Sequence, residues 1–414
     1  MEQITYRFQD VCQTITDYVA NGSFKSLADN VQYSNDKDFA RLIRLVDFNS
    51  NYDEKNAIWV PESSYKFLKK SVLYGNEVII SNVGANLGTV FKCPKLDYPM
   101  TLGPNSILIK TNDLCNQDYL YYYLKSRIGY NKVMALVSGS AMPKFNKTEL
   151  RNMEVSLPNR NYQDKAAELL SKLDKKIELN NKINNNLYEF TNKLFEEKVL
   201  NNQDKDSWNK YKLSDISKVI NGYSYKGSEL IDKSDIGMTT IKNFDRTGGF
   251  KLDGFKDIIP KKCKIDHYVK PFEVLVACTD LTQNADIIGN AIMLLNNSDY
   301  KEVIMSMDLV KLVPTTKIVN NYMLYAIVNS RDFKDFALGY KSGTTVLHLN
   351  KNCFKEYTIK LPSEDLLKDL SGIIEINYKK ISQIIEENRK LEQLRDVLLP
   401  KLMNGEIDLN NIED

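Results

Sequence analysis

The stretch LPNRNYQDKAAELLSKLDKKIELNNKINNNLYEFTNKLFEEKVL, residues 157–200, decides the fold because its plan occurs twice. A second stretch, from Leu361 to Leu399, begins with the same Leu-Pro pair. Five identical pairs are separated by a constant 204 positions (361 − 157, for example). These pairs are Leu157/Leu361, Pro158/Pro362, Ile177/Ile381, Leu187/Leu391 and Leu194/Leu398. A chain that repeats one long segment at this distance is predicted to consist of two similar halves.

Both stretches carry the seam pattern of a helix that packs along another helix, with seam residues at alternating steps of three and four. The seam residues are Leu170, Leu173, Ile177, Asn180, Asn184, Leu187, Thr191 and Leu194 in the first stretch, and Leu370, Ile374, Asn377, Ile381, Ile384, Asn388, Leu391 and Leu398 in the second. A helix of about 37 residues is roughly 55 Å long. A small domain cannot cover so long a stripe, so we expect the two copies to pair, antiparallel.

Asn184 and Asn388 occupy equivalent positions on this seam. A polar seam residue costs stability but penalises wrong registers, so these two asparagines are candidates for fixing the helix register. The alternative is that they lie at a wet edge of the seam.

The helical stretches divide the chain into residues 1–156, 157–201, 202–360 and 361–414, with a globular domain preceding each helix. In the first domain, four apolar runs predict strands: 39–45, 77–81, 88–91 and 106–110. A helix is expected at 118–127, with Asp118 as its N-cap. The second domain repeats short anchors of the first, such as Asn21-Gly22 at Asn221-Gly222. The sequence between anchors differs freely, as expected where loops perform recognition.

Composition excludes several classes of protein. The chain has 414 residues, 43% of them hydrophobic, and no 18-residue run free of charge, so no membrane-spanning helix is predicted. The first residues show neither the basic nor the apolar region of a signal peptide, and six scattered cysteines favour reduced thiols, so we expect a cytoplasmic protein. The net charge of +2 neither requires nor excludes nucleic acid. The 24 tyrosines suit polar recognition surfaces, or reflect an AT-rich genome.

No catalytic constellation is present in the sequence. The two histidines, His267 and His348, have no companions at metal-ligand spacing, so no metal site is expected. Neither a phosphate-binding loop nor a dinucleotide-binding glycine motif occurs. His348 has no nucleophile elbow that would support a Ser-His-Asp triad. The sequence therefore predicts a binding protein.

Three features together resemble the specificity subunit of type I restriction–modification systems. They are the duplicated plan of domain and long helix, the segment Ser342-Gly343-Thr344-Thr345-Val346-Leu347-His348-Leu349 before Leu361-Pro362, and the helix end Leu398-Leu399-Pro400-Lys401-Leu402-Met403-Asn404-Gly405-Glu406-Ile407. The resemblance covers nearly the whole chain. It implies a tandem α/β (α+β) repeat in which two DNA-recognition domains are joined by two long antiparallel coiled-coil helices with pseudo-two-fold symmetry.

The resemblance also implies the function and the partners. Each domain would read one half of a bipartite asymmetric site in double-stranded DNA, and the helices would set the spacer. Two modification subunits that use S-adenosylmethionine would dock on the chain and methylate adenine. Restriction subunits that use ATP and Mg²⁺ would add cleavage, and this chain itself would bind no cofactor. The competing hypotheses are a coiled-coil adaptor without DNA specificity and a stand-alone DNA-modifying enzyme.

We predict DNA contacts from polar loop residues, because bases are read by Arg, Lys, Asn, Gln, Ser or Thr, and phosphates are bound by Lys and Arg. In the first domain they are Lys25, Arg41, Arg44, Asn82, Asn86, Lys144 and Lys147. In the second domain they are Tyr223, Tyr225, Lys226, Lys242, Arg246, Gln283, Asn284, Thr345 and His348. For each one, the alternative is an ordinary solvated surface residue. The loops at 138–147 and 342–351 are the stronger candidates, although their Ser-Gly runs could also be tight turns.

Overall fold

The computed structural model describes residues 2–139, 142–246, 248–282 and 284–409. Contacts divide the chain into two compact units, one formed by residues 1–176 and 391–414 and the other by residues 177–390. Each unit contains one mixed α/β domain together with a part of each long helix.

The first domain alternates short strands with short helices. Its strands are β1 (Ile4–Arg7), β2 (Cys12–Asp17), β3 (Ala40–Ile43), β4 (Ile58–Val60), β5 (Val72–Leu73), β6 (Val78–Ser81), β7 (Val90–Lys92), β8 (Met100–Leu102), β9 (Ser106–Thr111) and β10 (Glu154–Leu157). Its helices are α1 (Phe24–Asn30), α2 (Leu45–Asn49), α3 (Glu62–Phe67), α4 (Gln117–Lys125), α5 (Arg127–Met134) and α6 (Lys147–Asn152). The long helix α7 (Arg160–Phe195) follows and ends in a π-helical turn, Glu196–Leu200.

The second domain repeats this order. Its strands are β11 (Asn209–Lys212), β12 (Ser217–Asn221), β13 (Ile236–Thr239), β14 (Lys256–Asp257), β15 (Val274–Ala277), β16 (Thr279–Asp280), β17 (Ala291–Met293), β18 (Glu302–Met305), β19 (Leu309–Pro314), β20 (Lys341–Ser342), β21 (Leu347–Leu349) and β22 (Thr358–Leu361). Its helices are α8 (Leu213–Ile216), α9 (Asn321–Asn329), α10 (Arg331–Leu338) and α11 (Cys353–Glu356), and the long helix α12 (Glu364–Met403) follows.

Both domains share one sheet topology. In the first, β2, β9, β6 and β7 form an antiparallel sheet in that order, and β4, β3, β8 and β5 form a second sheet in which β3 and β8 are parallel. In the second, β12, β19, β15 and β17 form the antiparallel sheet, and β14, β13 and β18 form the other, with β13 and β18 parallel. A single skeleton is therefore built twice.

Apolar runs become central strands because both faces of the antiparallel sheet are covered. In β6, Val78 and Ile80 pack with the helices of the first domain, whereas Ile79 between them packs toward the second sheet. Alternate side chains point to opposite faces of a strand, so a strand covered on both sides is apolar throughout. The four strands predicted in the first domain are present as β3, β6, β7 and β9.

The N-cap of α4 corrects one local prediction. The side chain of Asn116 accepts hydrogen bonds from the N–H groups of Asp118 and Tyr119, so the cap lies two residues before the expected Asp118. Asn116 also donates to Asp164 at 2.6 Å, which joins this cap to the start of α7.

In each unit, the start of one long helix and the end of the other complete the domain core. In the first unit, the Tyr162 hydroxyl donates to the Leu402 carbonyl at 3.1 Å, and Leu402 and Met403 are buried in the core. In the second unit, Val199 after α7 and Leu367 on α12 are buried in one cluster. Val199 and Met403 are equivalent positions of the repeat.

The seam in the second unit is antiparallel and partly polar. Asn180 donates to the Asn388 side chain at 2.8 Å, and Asn377 donates to Thr191 at 3.1 Å. The residue numbers of each contacting pair add up to 568, as a constant antiparallel register requires. Ile384 therefore stands opposite Asn184. Asn184 is buried, and its side-chain oxygen has no hydrogen-bond partner among the described atoms.

The long helices meet the two domains through different chemistry. In the first unit, Asp174 accepts a hydrogen bond from the Tyr122 hydroxyl at 2.7 Å and pairs with Arg395 at 3.0 Å. In the second unit, the ring of Tyr378 lies edge-on to Tyr188 and Tyr325, with centroids 5.6 Å and 4.9 Å away. None of the helices described is long and apolar enough to cross a membrane.

Candidate nucleic-acid interface

The sequence-predicted loops of the first domain meet at one edge of its antiparallel sheet. Strands β2 and β6 both run antiparallel to β9, so the loops that follow them leave the sheet at the same edge. Lys144 bridges Val83 on one side and Ser138 on the other, and Gly84 donates to the Pro143 carbonyl at 3.0 Å. The loop 82–88 and the segment 138–145 therefore form one surface, described except for residues 140 and 141.

Asn82, Asn86 and Lys144 lie on this surface. Asn86 and Lys144 are exposed, and Asn82 is half-buried, donating to the Phe145 carbonyl at 3.0 Å. A cavity of about 370 Å³ opens beside them, lined in part by Asn86 and Asn105. Lys25 is exposed on α1, which follows β2 at the same edge. These side chains offer amide and ammonium groups suited to base edges and phosphates.

Arg41 has a structural role, which corrects the prediction that it contacts DNA. Only 1% of it is exposed, and its guanidinium donates to the Asp53 carbonyl at 3.0 Å and to the Tyr98 hydroxyl at 3.3 Å. Asp47 lies 3.8 Å from it. A guanidinium inside the domain cannot reach a base edge.

Arg44 and Lys147 are less buried but already paired. Arg44 donates through Nε and a terminal nitrogen to both oxygens of Asp47, at 2.9 and 3.0 Å. The Lys147 ammonium lies 2.8 Å from Asp17, at the end of β2. These pairs fix the loops at the sheet edge, so both residues position the surface.

The second domain forms the same edge with a larger strand arrangement. Strands β12 and β15 run antiparallel to β19, and β16, just after β15, pairs with β21 of the hairpin β20–β21. His348 stands opposite both Thr279 and Ser342 in this ladder. His348, Thr345 and Asn284 are exposed there, and Gln283 lies outside the described residues.

A buried carboxylate holds the loop that carries Asn284. Asp280 is 1% exposed and accepts hydrogen bonds from the N–H groups of Thr282, Ile287 and Ile288, at 2.6 to 3.2 Å. Burial alone would raise the pKa of Asp280, but these donors hold the pKa below its usual value. The loop is thus closed around an ionised acceptor.

Tyr223 is also structural, which corrects a second prediction. It is buried, and its hydroxyl donates to Glu229 at 2.9 Å and accepts the N–H groups of Lys261 and Lys262 at 3.2 Å. Nearby, Tyr225 is half-buried with the Lys256 ammonium 5.6 Å from its ring centre. Lys226, Lys242 and Arg246 are exposed, as a phosphate contact requires.

Exposed lysines beside Tyr223 were missed by sequence reasoning. They are Lys261, Lys262 and Lys264, and the half-buried Lys256 lies near Tyr225. The adjacent lysines at 261 and 262 were the available signal, but only the fold shows that they neighbour the loop after β12.

Asn388 contacts its partner helix through two side-chain hydrogen bonds. It accepts from Asn180 and donates to Asn181, each at 2.8 Å. Asn180 also donates to Glu387 at 2.9 Å. Asn184, at the equivalent position of the first copy, has no such arrangement.

Among the residues described, no group of three or more His, Cys, Asp or Glu side chains could hold a metal ion. The Sγ of Cys263 lies 3.7 Å from Nδ1 of His267. Burial raises the pKa of the Cys263 thiol, which disfavours the reactive thiolate.

Comparison with known proteins agrees with the duplicated fold. Residues 6–189 and 205–387 each match the family described as "Type I restriction modification DNA specificity domain". The MjaVIII specificity subunit of Methanocaldococcus jannaschii is 23% identical over 375 residues, covering 83% of this chain and 82% of that protein. The MjaIX specificity subunit of the same organism is 22% identical over 340 residues, covering 76% and 74%.

A solved structure gives the same result for the fold. The S subunit of a type I restriction–modification system from M. genitalium superimposes with a TM-score of 0.60 at 15% identity, covering 97% of this chain and 96% of that chain. Two copies of the family domain together span most of the present sequence. The chain belongs to the type I restriction–modification DNA specificity family.

Proposed function

We propose that this chain is the non-catalytic DNA specificity subunit of a type I restriction–modification enzyme, acting in the cytoplasm of a bacterium or archaeon. Each domain reads one half of a bipartite, asymmetric site in double-stranded DNA. One observation carries the proposal: a shared skeleton presents different loops at the same edge of its antiparallel sheet in each domain. Different loops on one skeleton are what two different half-sites require.

The proposed contacts are polar side chains of the two domains, of which Asn82 is half-buried, Gln283 lies outside the described residues and the others are exposed. In the first domain they are Lys25, Asn82, Asn86 and Lys144, and in the second Lys226, Lys242, Arg246, Gln283, Asn284, Thr345 and His348. Amides and hydroxyls would hydrogen-bond to base edges, and lysines and arginines to bases or phosphates. Arg44, Lys147 and Tyr225 position these loops.

The two long helices serve as a spacer between the half-sites. Helices of 36 and 40 residues have lengths of roughly 54 and 60 Å at 1.5 Å per residue. Readers on one side of B-DNA must be about one turn, roughly 34 Å, apart. Asn180 and Asn388 support the register of this spacer, because a shifted pairing would leave their side-chain amides without hydrogen-bond partners.

The helices also carry the docking surface for the modification subunits. The seam residues of each helix form two alternating sets. In an antiparallel pair, the residues that precede the first set on both helices lie on one side of the pair, and the residues that follow the second set on both helices lie on the opposite side. In the second unit, Tyr188 and Tyr378 follow seam residues and pack with the domain. Phe190 and Ile373 precede seam residues and are exposed, so they lie on the side away from the domain.

Each unit has an exposed patch of the same composition on that side. The patch of the second unit is Phe190, Lys193, Ile373, Ile376 and Lys380, and that of the first unit is Leu394, Val397, Leu169, Lys172 and Lys176, of which Leu169 is half-buried and also packs against the core of the first domain. Members correspond in that order through the offset of 204. Ile376 is 69% exposed and Val397 is 55% exposed. Clusters of exposed apolar side chains suit a protein partner.

Equivalent patches fit two copies of one partner, which we propose are the two modification subunits. Those subunits would supply S-adenosylmethionine and adenine methylation, and restriction subunits, where present, would supply ATP- and Mg²⁺-dependent cleavage. We expect Phe190→Glu or Leu394→Glu to reduce the complex from two modification subunits to one, and the double variant to none. Ile259→Glu, an exposed apolar residue of the second domain, is the matched control for light-scattering mass measurements.

The function is tested by mapping methylated adenines in a host with and without the chain. Loss of one bipartite motif is expected when the chain is removed. Replacing residues 1–156 with another recognition domain should alter one half-site only, and inserting four residues near Asn184 should alter only the spacer. Methylation by the purified chain alone with S-adenosylmethionine, or a change in both half-sites, would contradict the proposal.

A further inference from the structure

A lysine-rich segment of the second domain is exposed and strongly basic. Lys261, Lys262 and Lys264 all face solvent, and the structure shows no hydrogen bond or ion pair of their ammonium groups with the residues described. Asp266 is the one acidic residue between Lys261 and His267. Such a charge run is unremarkable on a surface unless the fold holds it in a fixed place.

The fold does hold it, through a buried carboxylate. Glu229 is 5% exposed and accepts the N–H of Lys226 at 2.8 Å on one oxygen and the N–H of Lys261 at 3.0 Å on the other. The Tyr223 hydroxyl donates to the same carboxylate and accepts from Lys261 and Lys262. The Lys226 N–H, with the other donors, keeps the pKa of Glu229 below its usual value. Lysines from two separate loops are thereby fixed around one carboxylate.

This cluster lies at the edge that carries the recognition loops. Lys226 and Tyr223 belong to the loop after β12, and β12 is parallel to β15, whose following loop carries Asn284. At the same edge, the Lys351 ammonium contacts Asn221, the last residue of β12. The cluster therefore lies at the same edge of the sheet as the hairpin β20–β21.

The first domain reaches the same arrangement with different residues. Asn21, in the loop after β2, accepts the N–H of Lys70 at 2.9 Å and donates to the Ser71 hydroxyl at 2.8 Å. Lys69 and Lys70 are exposed there, and the Lys70 ammonium donates to the Ala20 carbonyl at 3.0 Å, which also holds this loop, while Lys25 is exposed at the start of α1. The side-chain amide of Asn21 takes the place of Tyr223 and Glu229. It fixes the loop that carries Lys69 and Lys70 to the loop after β2.

We propose that these pinned lysine loops are phosphate-binding clamps, with Lys226, Lys261, Lys262 and Lys264 binding the DNA backbone beside the second half-site and Lys25 and Lys69 beside the first. The inference rests on the proposed DNA-reading function. Ammonium groups bind phosphates without regard to base sequence, whereas the adjacent hairpin carries the groups that read bases. The clamp supplies affinity and orientation, and the hairpin supplies specificity.

The test uses the full chain assembled with modification subunits, on duplexes carrying either the motif found by methylation mapping or a scrambled sequence. A variant with Lys261→Gln, Lys262→Gln and Lys264→Gln is titrated from about 50 to 300 mM salt. Since each phosphate contact contributes about 0.9 to the slope of log K against log salt, the slope should fall by about 2 to 3. Affinity should fall on both duplexes, with their ratio unchanged within about twofold.

The matched control replaces Lys212, Lys218 and Lys317 with Gln. These exposed lysines lie at the opposite edge of the same sheet, near the start of β12 and beyond the end of β19, so the slope should stay that of the unmodified chain. An unchanged slope in the test variant, or a loss confined to the cognate duplex, would overturn the clamp. If the unmodified complex does not prefer the cognate duplex, the proposed function itself fails.

Discussion

Replacing the two equivalent seam asparagines should change stability in opposite directions. Asn184 and Asn388 are related by the repeat, but Asn388 has two side-chain hydrogen bonds and Asn184 faces Ile384 with an unpaired oxygen. The perturbation is the same in both cases, Asn184→Leu and Asn388→Leu. A sequence comparison alone would assign the two positions the same role.

The magnitudes follow from what each change removes. Asn388→Leu deletes two hydrogen bonds, each of which contributes about 1 kcal/mol. Asn181 is exposed and can turn to water, and Asn180 keeps its bond to Glu387, so we expect a loss of about 1–2 kcal/mol. Asn184→Leu removes a buried acceptor whose desolvation costs about 1–3 kcal/mol, offset in part by fitting a larger side chain. We expect a gain of about 1 kcal/mol.

The chain allows the second unit to be observed separately. It has two tryptophans, Trp59 in the first unit and Trp208 against the core of the second. In a Trp59→Phe background, Trp208 fluorescence during urea unfolding reports the second unit, and both variants are compared with that background. If both substitutions shift the midpoint in the same direction by an equivalent of more than about 0.5 kcal/mol, the helices do not pair in the register that places Asn184 opposite Ile384.

Three further changes test other parts of the structure. Asp280→Asn should weaken binding to the second half-site about tenfold, because the loop donors lose a charged acceptor, and leave the first unaffected in assays with duplexes altered in one half. Arg395→Met should lower the free energy of unfolding of the first unit by about 1 kcal/mol at low salt and less at high salt, measured by Trp59 fluorescence in a Trp208→Phe background. Hydrogen bonds from Arg389 lower the pKa of Glu386 from 4.5 to about 2. This carboxylate therefore stabilises the fold above about pH 4.5 and loses that contribution as the pH falls toward 2, so Glu386→Gln should cost about 1 kcal/mol near pH 6 and almost nothing near pH 2 by urea unfolding.

The sequence predicts the helices and strands whose residues carry a local hydrophobic pattern. The seam residues of α7 and α12 recur at helical spacing, and a strand such as β6 is apolar throughout because both of its faces are covered. Both kinds of pattern are local, so their residues alone were enough.

The candidate site depends on contacts between distant residues, which no local pattern reports. Arg41 and Lys144 are both cations in loop-rich sequence, but Arg41 is buried by Tyr98 and Asp53, whereas Lys144 is exposed. Tyr223 lies 38 positions from Lys261, whose N–H it accepts. These distant partners determine whether a polar side chain stabilises the fold or is free to face a ligand.

The repeat has diverged where each long helix meets its domain, and this divergence selects the correct pairing of helix segments. Positions 174 and 378 are equivalent, as are 191 and 395, but the residues are Asp174 with Arg395 in one unit and Tyr378 with Thr191 in the other. If like helices of two copies of the chain paired, α12 with α12 and α7 with α7, the Arg395 guanidinium would lie beside the buried Tyr378 ring and Asp174 would face Thr191. A buried charge without its partner costs about 3–5 kcal/mol. The divergence therefore favours pairing of α7 with α12 over pairing of like helices, while the loops at the sheet edges remain free to change.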